Sequence, residues 1–346
     1  MVTITLVTFN GMHWLPGCVA SVRSQELADF ELLVLDNASS DGTVAWLREQ
    51  AAAEPRLRVR ESSDNLGFAA GQNRLIAAAR GEFVLMLNQD IVLDDGFLRA
   101  AVTAFEGRPD VAAVQGRLRR LGPDGERTDV LDSTGLEMHR DRRVVARSQG
   151  EVEDARHLAG GPVWGADGPA PVYRREALLD AREPRTGGGW EILDEAFFMY
   201  KEDVDIAWRL RNLGWTAWYE PGALAWHARG AERRSGRTIP DLIRADRMIP
   251  RWIKAISWRN HQLMQVKNDT LGGCLRDLPW ILRRELLSLG FMMFVDPRRL
   301  RVVPDLLRLS PDAMRKRRYL RKQIARRRPG RIGSSARGDS DRYHPG

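Results

Sequence analysis

The sequence has little cysteine and no long apolar run. Its two cysteines, Cys18 and Cys274, lie far apart, which excludes a cysteine-based metal site and a disulfide scaffold. We therefore expect free thiols in a reducing compartment. The longest candidate for an apolar membrane-spanning run, residues 286–295, has ten residues, whereas a membrane-spanning helix needs about 20. The N-terminal MVTITLVTFN also lacks the basic segment of a signal peptide. We expect a protein that does not cross a membrane.

Positive charge is concentrated near the C-terminus. The 346-residue chain has a formal net charge of +8 at pH 7. From residue 314 onward, 12 Lys and Arg face two Asp, so this end carries +10 and residues 1–313 carry about −2. A basic segment of this kind favours polyanions, either lipid headgroups or nucleic acid. The length predicts two domains, or one large domain with an extension.

Short apolar segments alternate with helical patterns through residues 1–115. The strand-like segments are ITLVT, FELLVLD, LRVR, EFVLMLN and VAAVQG. Continuous apolar strands separated by helices predict an α/β fold, with a mostly parallel sheet covered by helices on both faces. In such sheets, ligands bind beyond the carboxyl ends of the strands.

Polar residues stand at the exits of three predicted strands. A single carboxylate after a buried strand, such as Asp90 in LNQD, suits Mg²⁺ or Mn²⁺ that also binds a diphosphate; the alternative is that Asp90 caps a turn. Asp36 either accepts a hydrogen bond from a nucleobase or ribose, or caps the following helix. The exit residues are Thr8, Asn10, Asp36, Asn88, Gln89 and Asp90.

The second half of the chain adds three candidate features. GGPVWGADGPAP, residues 160–171, is too rich in Gly and Pro for a helix or strand and predicts a shaped loop. Residues 202–214 predict an amphipathic helix whose first turn carries Glu202 and Asp203. These acids either compensate the helix dipole or hold a general base. His227 ends a short strand, as a structural residue or as a metal ligand.

Together these segments resemble one known family. In chain order they are TFNG, LVLDNASSDGTVAWL, NLGFAAGQNRLI, ARGEFVLMLNQDIVLD, WGADGPAPVYRREAL, DEAFFMYKEDVDIAWRLRNLGW and YEPGALAWH. They resemble the inverting glycosyltransferases of family 2, which have the GT-A fold. STGLEMHRDRR and GADGPAPVYRREAL resemble the rhamnosyltransferase-like branch. The resemblance covers about residues 2–270 and implies a nucleotide-diphosphate sugar, dTDP- or UDP-linked, as donor.

The resemblance implies roles on the donor side. Asp90 matches the metal-binding acid of an Asp-x-Asp motif that often reads Asn-x-Asp in this branch, with Asn88 in the first position. His227 matches a late histidine that joins Asp90 at Mg²⁺ or Mn²⁺, and Asp36 matches the carboxylate that recognises the base. The other residues expected around the nucleotide sugar are Thr8, Asn10, Asn65, Gly67 at a helix start that a phosphate can approach, Asn73 and Gln89.

The resemblance also implies roles on the acceptor side. Asp203 matches the acid that deprotonates the acceptor hydroxyl, with Glu202 beside it. Attack on the anomeric carbon from the face opposite the leaving diphosphate inverts that centre. The acceptor-side candidates are Trp164, Gly165, Asp167 and Trp190. The two tryptophans would stack on sugar, or simply pack in the protein.

We predict three regions in the chain. A GT-A catalytic domain covers residues 1–240, with residues 1–115 binding the nucleotide sugar and residues 116–240 the acceptor. A helical region follows over residues 241–328, and residues 329–346 are expected to be disordered.

The helical region mixes apolar clusters with arginine. Pro279, Pro297 and Pro304 are expected to divide it into short helices. Such basic helices suit attachment to an anionic membrane surface. A helical cap on the catalytic domain or a homodimer surface is the alternative.

The sequence therefore predicts a cytoplasmic enzyme, peripheral on the inner face of the plasma membrane. It would transfer a sugar, with L-rhamnose as first candidate, to a hydroxyl of a glycan, such as a polyprenyl-diphosphate-linked saccharide in cell-surface polysaccharide assembly. A non-catalytic sugar-nucleotide or membrane-binding module with the same fold is the first alternative. A nucleic-acid binder is the second, but the near-neutral body lacks an interleaved basic and aromatic groove, so no nucleic acid is expected.

Overall fold

A computed structural model describes residues 1–122, 124–228 and 249–327. Within these residues, ten strands form one central sheet in the order β10-β14-β6-β11-β4-β1-β2-β3, with β5 beside β14 and β7 beside β6. The strands are β1 Val2–Thr8, β2 Phe30–Asp36, β3 Leu57–Glu61, β4 Phe83–Leu87, β5 Ile91–Leu93, β6 Val111–Leu121, β7 Arg127–Ser133, β10 Gly161–Val163, β11 Val172–Arg174 and β14 Thr216–His227. Two hairpins lie outside it, β8 Leu136–Met138 with β9 Val144–Ala146, and β12 Glu183–Pro184 with β13 Trp190–Glu191.

The predicted α/β fold with a mostly parallel sheet is confirmed. β1 pairs parallel with β2 and β4, β2 with β3, and β6 with β14, while β11 runs antiparallel between β4 and β6. β1, β2 and β4 are buried along their whole length, as their unbroken apolar sequences predict.

Helices cover both faces of the sheet, and apolar cores fill the space between. The helices are α1 Leu15–Arg23, α2 Thr43–Ala53, α3 Phe68–Ile76, α4 Phe97–Thr103, α5 Arg175–Asp180, α6 Glu202–Asn212, α7 Arg251–Asn268, α8 Leu271–Phe294 and α9 Val303–Arg327. Side chains of α1, α2 and α4 share one core with the sheet, and side chains of α3, α5 and α6 share a second. The carboxyl ends of β1, β2 and β4 therefore meet at one uncovered edge.

The C-terminal helices α7 and α9 are packed into the body. Leu263 and Met264 of α7 and Ala313 of α9 form a third core with Val204 and Trp208 of α6. Basic side chains of α9 are used inside the protein too, since Arg317, Arg321 and Arg327 donate to the carbonyl oxygens of Val266, Asp269 and Leu213. The predicted boundary at residue 240 and the predicted disordered tail, residues 329–346, lie outside the described residues.

The expectation that Pro279 ends a helix is wrong. Pro279 lies inside α8, which runs unbroken for 24 residues. The carbonyl that loses its hydrogen bond to proline belongs to Leu275, a residue that is 61% exposed, so water can reach this part of the helix. None of the described helices is both long and apolar enough to span a membrane.

Candidate active site at the edge of the sheet

Asp90 and His227, the two predicted metal ligands, lie side by side. Asp90 follows β4, and the next strand, β5, pairs with the end of β14 so that Ile91 lies opposite His227. This pairing sets His227 Nε2 3.3 Å from a carboxylate oxygen of Asp90. Neighbouring ligands of an octahedral ion with bonds of about 2.1 Å are about 3.0 Å apart. The two atoms are therefore spaced to share one divalent cation.

Asp132 fixes the His227 ring from the other side, and sequence reasoning missed it. Asp132 lies in β7, is fully buried, and sits 2.7 Å from His227 Nδ1. A carboxylate behind a histidine fixes the ring orientation and directs the second nitrogen to a metal. Burial would lower the pKa of His227, but the hydrogen bonds to Asp132 and Asp90 outweigh it and raise the pKa to about 9. The carboxylates of Asp90 and Asp132 thus make the surroundings of His227 favourable for a positive charge.

A second acidic group has the spacing of a metal site but already holds two ammonium groups. Glu183, Glu191 and Asp194 are buried, with one oxygen of each within 4.8 Å of the others. Lys267 Nζ lies 2.7 Å from both Glu183 and Asp194, and Lys316 Nζ lies 2.6 Å from Asp194. These lysines supply positive charge to the acidic cluster, and the binding of a divalent cation by Asp90 and His227 stays a prediction.

Gln89 ties the exit of β1 to the exit of β4. Its Oε1 accepts hydrogen bonds from Thr8 Oγ1 at 2.6 Å and from the Phe9 amide at 3.2 Å. A Cβ on Gly11 would come within 2.6 Å of the same oxygen, so this position has room only for glycine. Thr8 and Gln89 thus shape the edge, and their contact with a nucleotide sugar stays a prediction.

Asp36 offers a buried oxygen beside this edge. The residue is 1% exposed, and Oδ2 accepts from the Ser39 amide at 3.0 Å. Oδ1 is buried and has no hydrogen-bond partner among the described residues. Such an acceptor is costly to leave unpaired, so it suits a ligand N–H or O–H donor. Asn10 Oδ1 accepts from the Ser40 amide at 2.8 Å, which ties the loop after Asp36 to the exit of β1.

Asn65 and Gly67 build a turn that meets the protein itself. Asn65 Oδ1 accepts from Asn37 Nδ2 and from the Gly67 amide, both at 3.0 Å. Gly67 has a φ of +81°, and a Cβ there would lie 2.4 Å from the ring of Phe198. Phe198 fills the space that a Cβ at Gly67 would occupy, and the approach of a phosphate to Gly67 stays a prediction.

Asn73 holds the segment before the predicted general base. Its Oδ1 accepts from the amides of Ile192 and Leu193, and its Nδ2 donates to the Leu193 carbonyl and to Glu195. The whole side-chain amide is used in these four bonds. Its predicted contact with the nucleotide sugar would have to replace one of them.

A short loop joins the metal side of the edge to Asp203. The Asn88 amide donates to the Pro169 carbonyl at 2.9 Å, and the Gly168 amide donates to Asp203 Oδ2 at 3.3 Å. Consecutive Cα atoms are about 3.8 Å apart, so Gly168 and Pro169 connect Asn88 at the exit of β4 to the first turn of α6 over roughly 10 Å. Asp203 therefore lies beside the loop that borders the exit of β4, and Asp90 follows that exit two residues after Asn88.

Glu202 and Asp203 sit in an acidic environment. Burial and, next, the charge of Asp203 raise the pKa of Glu202 to about 8. Burial and the carboxylates of Asp203, Asp167 and Glu202 also raise the pKa of the Tyr173 hydroxyl beneath them. Asp203 therefore has a protonatable carboxyl beside it.

The predicted acceptor loop is fixed from within. The Asp167 amide donates to Gln115 at 2.6 Å, and a Cβ on Gly165 would lie 2.6 Å from Ala207, so Gly165 allows the loop to touch α6. Trp164 packs edge-on against Trp208, with ring centroids 6.4 Å apart. Trp164 is thus part of a core contact, and its sugar stacking stays a prediction.

Trp190 is not part of the predicted acceptor loop, residues 160–171. It is 51% exposed on β13, and its ring is 5.4 Å from Tyr319 of α9 and 4.9 Å from the guanidinium of Arg182. The structure therefore shows Trp190 against the C-terminal helix, and its two ring contacts within the described residues, Tyr319 and Arg182, lie outside the loop of Gly168.

Comparison with known sequences gives consistent matches. The family model described as Glycosyl transferase family 2 matches residues 3–180. The chain is similar to N-acetylglucosaminyl-diphospho-decaprenol L-rhamnosyltransferase of Mycobacterium tuberculosis, with 28% identity over 254 residues, 65% of this chain and 75% of the relative. It is also similar to poly-beta-1,6-N-acetyl-D-glucosamine synthase of Staphylococcus epidermidis, with 22% identity over 85% of this chain and 60% of the relative.

Solved structures share the fold. A mannosyltransferase from Pyrobaculum calidifontis in complex with GDP-Man and Mn²⁺ matches with a TM-score of 0.53 and 17% identity, covering 94% of this chain and 85% of that one. TarS from S. aureus matches with a TM-score of 0.51 and 16% identity, covering 93% and 87%. Both likenesses concern the fold alone.

Proposed function

Because the chain belongs to glycosyl transferase family 2 and is a glycosyltransferase, we propose that it transfers a sugar from a nucleotide-diphosphate donor with inversion at the anomeric carbon. The observation that carries this proposal is the Gly168–Pro169 connection, which joins Asp203 to Asn88 at the exit of β4, two residues before Asp90. A base and a diphosphate site on one edge are what a single displacement needs.

The donor would lie along the edge of the sheet. Asp36 Oδ1 accepts a hydrogen bond from the base or the ribose, and a dTDP- or UDP-linked sugar is the first choice of donor. Asp90 and His227 would hold Mg²⁺ or Mn²⁺, which supplies positive charge for the leaving diphosphate. Asn88, in the first position of the motif, stands beside the ribose.

The chemical step uses Asp203 as general base. The acceptor oxygen forms a bond to the anomeric carbon while the bond from that carbon to the diphosphate oxygen breaks, and the electron pair leaves with the diphosphate. Asp203 takes the acceptor proton. The Gly168 amide orients the carboxylate, and Glu202, with its raised pKa, keeps one negative charge rather than two at the start of α6.

The sugar and acceptor follow from the relatives. We propose L-rhamnose as the sugar and a polyprenyl-diphosphate-linked saccharide as the acceptor, as the name of the M. tuberculosis relative suggests. A lipid-linked acceptor would place the enzyme at the inner face of the plasma membrane, where the C-terminal basic helices would meet the anionic surface. A homodimer through these helices is the competing arrangement.

The test is turnover with a panel of dTDP- and UDP-sugars and a lipid-linked saccharide, with Mg²⁺, Mn²⁺ or EDTA. Asp203→Asn and Asp90→Ala are compared with wild type and with Asp95→Ala, which removes an exposed carboxylate near Asp90. We expect metal-dependent transfer of one sugar that both site variants lose and the control keeps. Donor binding without turnover by wild type would support a non-catalytic module instead.

A further inference from the structure

An apolar stripe runs along the outer face of α8. Seven residues recur at steps of three and four, which places them on one side of the helix. Each is between 36% and 71% exposed. At about 1.5 Å per residue the stripe is ~33 Å long, and a contiguous exposed apolar patch marks an interaction site. The leucine stripe consists of Leu271, Leu275, Leu278, Leu282, Leu286, Leu289 and Met293.

A basic cleft opens where the stripe ends. It has a volume of about 490 Å³ and is lined by Arg251, Trp252, Ala255, Arg298, Arg299 and Arg301, which we call the arginine cleft. Asp296 lies 3.4 Å from Arg299 and 3.9 Å from Arg251. Within the described residues, no carboxylate pairs with Arg298 or Arg301. The cleft therefore has an excess of positive charge that suits a phosphate.

The net charge of the C-terminal helices indicates which kind of partner covers the leucine stripe. Residues 271–327 carry 15 Lys and Arg against 5 Asp and Glu. A second copy of the chain would bring a like-charged cleft to the same surface, which opposes self-association. An anionic membrane offers both an apolar layer for the leucines and phosphates for the guanidinium groups. Trp252, 53% exposed at the mouth of the cleft, has the amphipathic ring that interfaces favour.

We propose that the leucine stripe lies in the interfacial layer of a membrane and that the arginine cleft binds the phosphate of an anionic phospholipid headgroup. This inference rests on the membrane association proposed above. It assigns that association to α8 and the segment after it, and not to the more basic α9.

Vesicle co-flotation of the full chain tests this. Vesicles of phosphatidylcholine, with and without phosphatidylglycerol, are titrated against wild type, Arg298→Ala/Arg301→Ala and Leu282→Ser/Leu286→Ser. The control Arg318→Ala/Arg326→Ala removes the same charge from exposed positions of α9. Two surface arginines correspond to about 30-fold in affinity for anionic vesicles. We expect that loss for the cleft variant, about threefold or less for the control, and loss of binding to both vesicle types for the leucine variant.

Each of the other outcomes would contradict one part of this proposal. Equal losses of vesicle affinity in the cleft and control variants would show that the arginine cleft contributes only its net charge. The membrane association itself would then still be supported. Absence of vesicle binding by wild type would overturn the association as well. A change of molar mass in light scattering caused by Leu282→Ser/Leu286→Ser would show that the stripe is a subunit interface.

A different observation concerns the segment before Asp203. Three non-glycine residues there have positive φ, namely Phe198 (65°), Tyr200 (68°) and Lys201 (74°). Phe198 makes a tight turn in which the Met199 amide donates to the Phe197 carbonyl at 2.7 Å. Such turns are strained and persist only when their surroundings hold them.

Asn260 of α7 holds this segment. The residue is fully buried, and its Nδ2 lies 2.9, 3.0 and 2.8 Å from the carbonyl oxygens of Phe197, Met199 and Tyr200. Arg259 donates to Asn260 Oδ1, which fixes the amide orientation. We infer that Asn260 is a positioning residue that sets the start of α6 and, with it, the place of Asp203. This inference rests on the role proposed for Asp203.

Kinetics and hydrogen exchange test this second inference. Asn260→Ala is compared with Gln262→Ala, which removes an amide from the same helix that contacts Glu285 of α8. We expect kcat to fall about tenfold or more, because small misplacement of a catalytic group is costly, with donor KM changed by about twofold or less. Exchange in residues 197–203 should quicken in the Asn260 variant alone.

Unchanged kcat and unchanged exchange in folded Asn260→Ala would contradict the inference. If that variant loses the fold, Asn260→Ser keeps one donor in place and carries the comparison. Inactive wild type would instead count against the proposed transfer, and the exchange result would still decide whether Asn260 holds the segment.

Discussion

His227 is held between two carboxylates, and the buried one sets how the ring faces the site. Asp132 binds Nδ1 at 2.7 Å, so Nε2 faces Asp90. We expect Asp132→Asn to weaken Mn²⁺ binding by about 10–100-fold, because the amide cannot support the same ring state. Calorimetric titration of Mn²⁺ measures it. Asp129→Asn, on the same strand but 74% exposed, is the control, and equal affinities in the two variants would contradict the assigned role.

Glu202 is expected to make the stability of the folded protein depend on pH. Burial and the charge of Asp203 raise its pKa in the folded protein to about 8, whereas in the unfolded chain it is near the ordinary value. From about pH 4.5 to pH 8 the folded state holds a proton that the unfolded state releases, so this residue lowers stability as pH rises. The Tm of Glu202→Gln minus that of wild type should increase over this range and then level off. A flat difference, like that expected for exposed Glu49→Gln, would contradict this.

Alanine substitutions at Gly67 and Gly17 compare a crowded glycine position with an open one. At Gly67 the φ is +81° and a Cβ would lie 2.4 Å from Phe198, while at Gly17 of α1 nothing lies within 4 Å of a Cβ. We expect Gly67→Ala to cost about 1–3 kcal/mol in the free energy of unfolding. Gly17→Ala should instead raise it by up to about 1 kcal/mol. Urea denaturation measures both, and similar effects would mean that Phe198 yields freely.

At the scale of elements, α7 is held to the body by buried charges. Lys267 Nζ contacts Glu183, Asp194 and Asp205, and Asp205 lies on α6 two residues after Asp203. Lys267→Met would remove one of the cations that neutralise these buried acids and leave an excess of buried negative charge, which costs about 3–5 kcal/mol. Urea denaturation should show that loss, and Lys322→Met, at an exposed position of α9, should not. A small effect at Lys267 would mean that Arg209 and Lys316, which also contact these acids, are enough to neutralise the cluster.

Apart from the three-residue strand β5, the elements of residues 1–115 could be predicted because one cue decided each of them. Buried parallel strands are apolar without interruption, and the polar residues that end them mark the functional edge. No such cue exists for α7, where Arg259, Asn260 and Lys267 look like a solvated face. Only the facing carbonyls and carboxylates, from segments far away in the chain, make their burial favourable.

In the whole molecule, the candidate site also depends on contacts between distant segments that the sequence does not reveal. Asp36, Asp90, Asp203 and His227 could be chosen as candidates because each ends or follows a strand or begins a helix. Asp132 could not, since its role depends on β7 pairing with β6 and on its contact with His227 of β14. Contacts of Asn65 and Asn73 with distant segments could not be predicted either, and their contact with a nucleotide sugar stays a prediction.

We propose a single displacement across one edge of the sheet, with Asp203 on the acceptor side and Asp90 with His227 on the diphosphate side. NMR of the anomeric configuration of the first-formed product is the measurement that tests this mechanism. We expect the product of wild type to have the anomeric configuration opposite to that of the donor sugar, and we expect Asp203→Asn to form no product. A product with the donor's configuration would contradict it, because retention requires a second displacement that this arrangement does not provide.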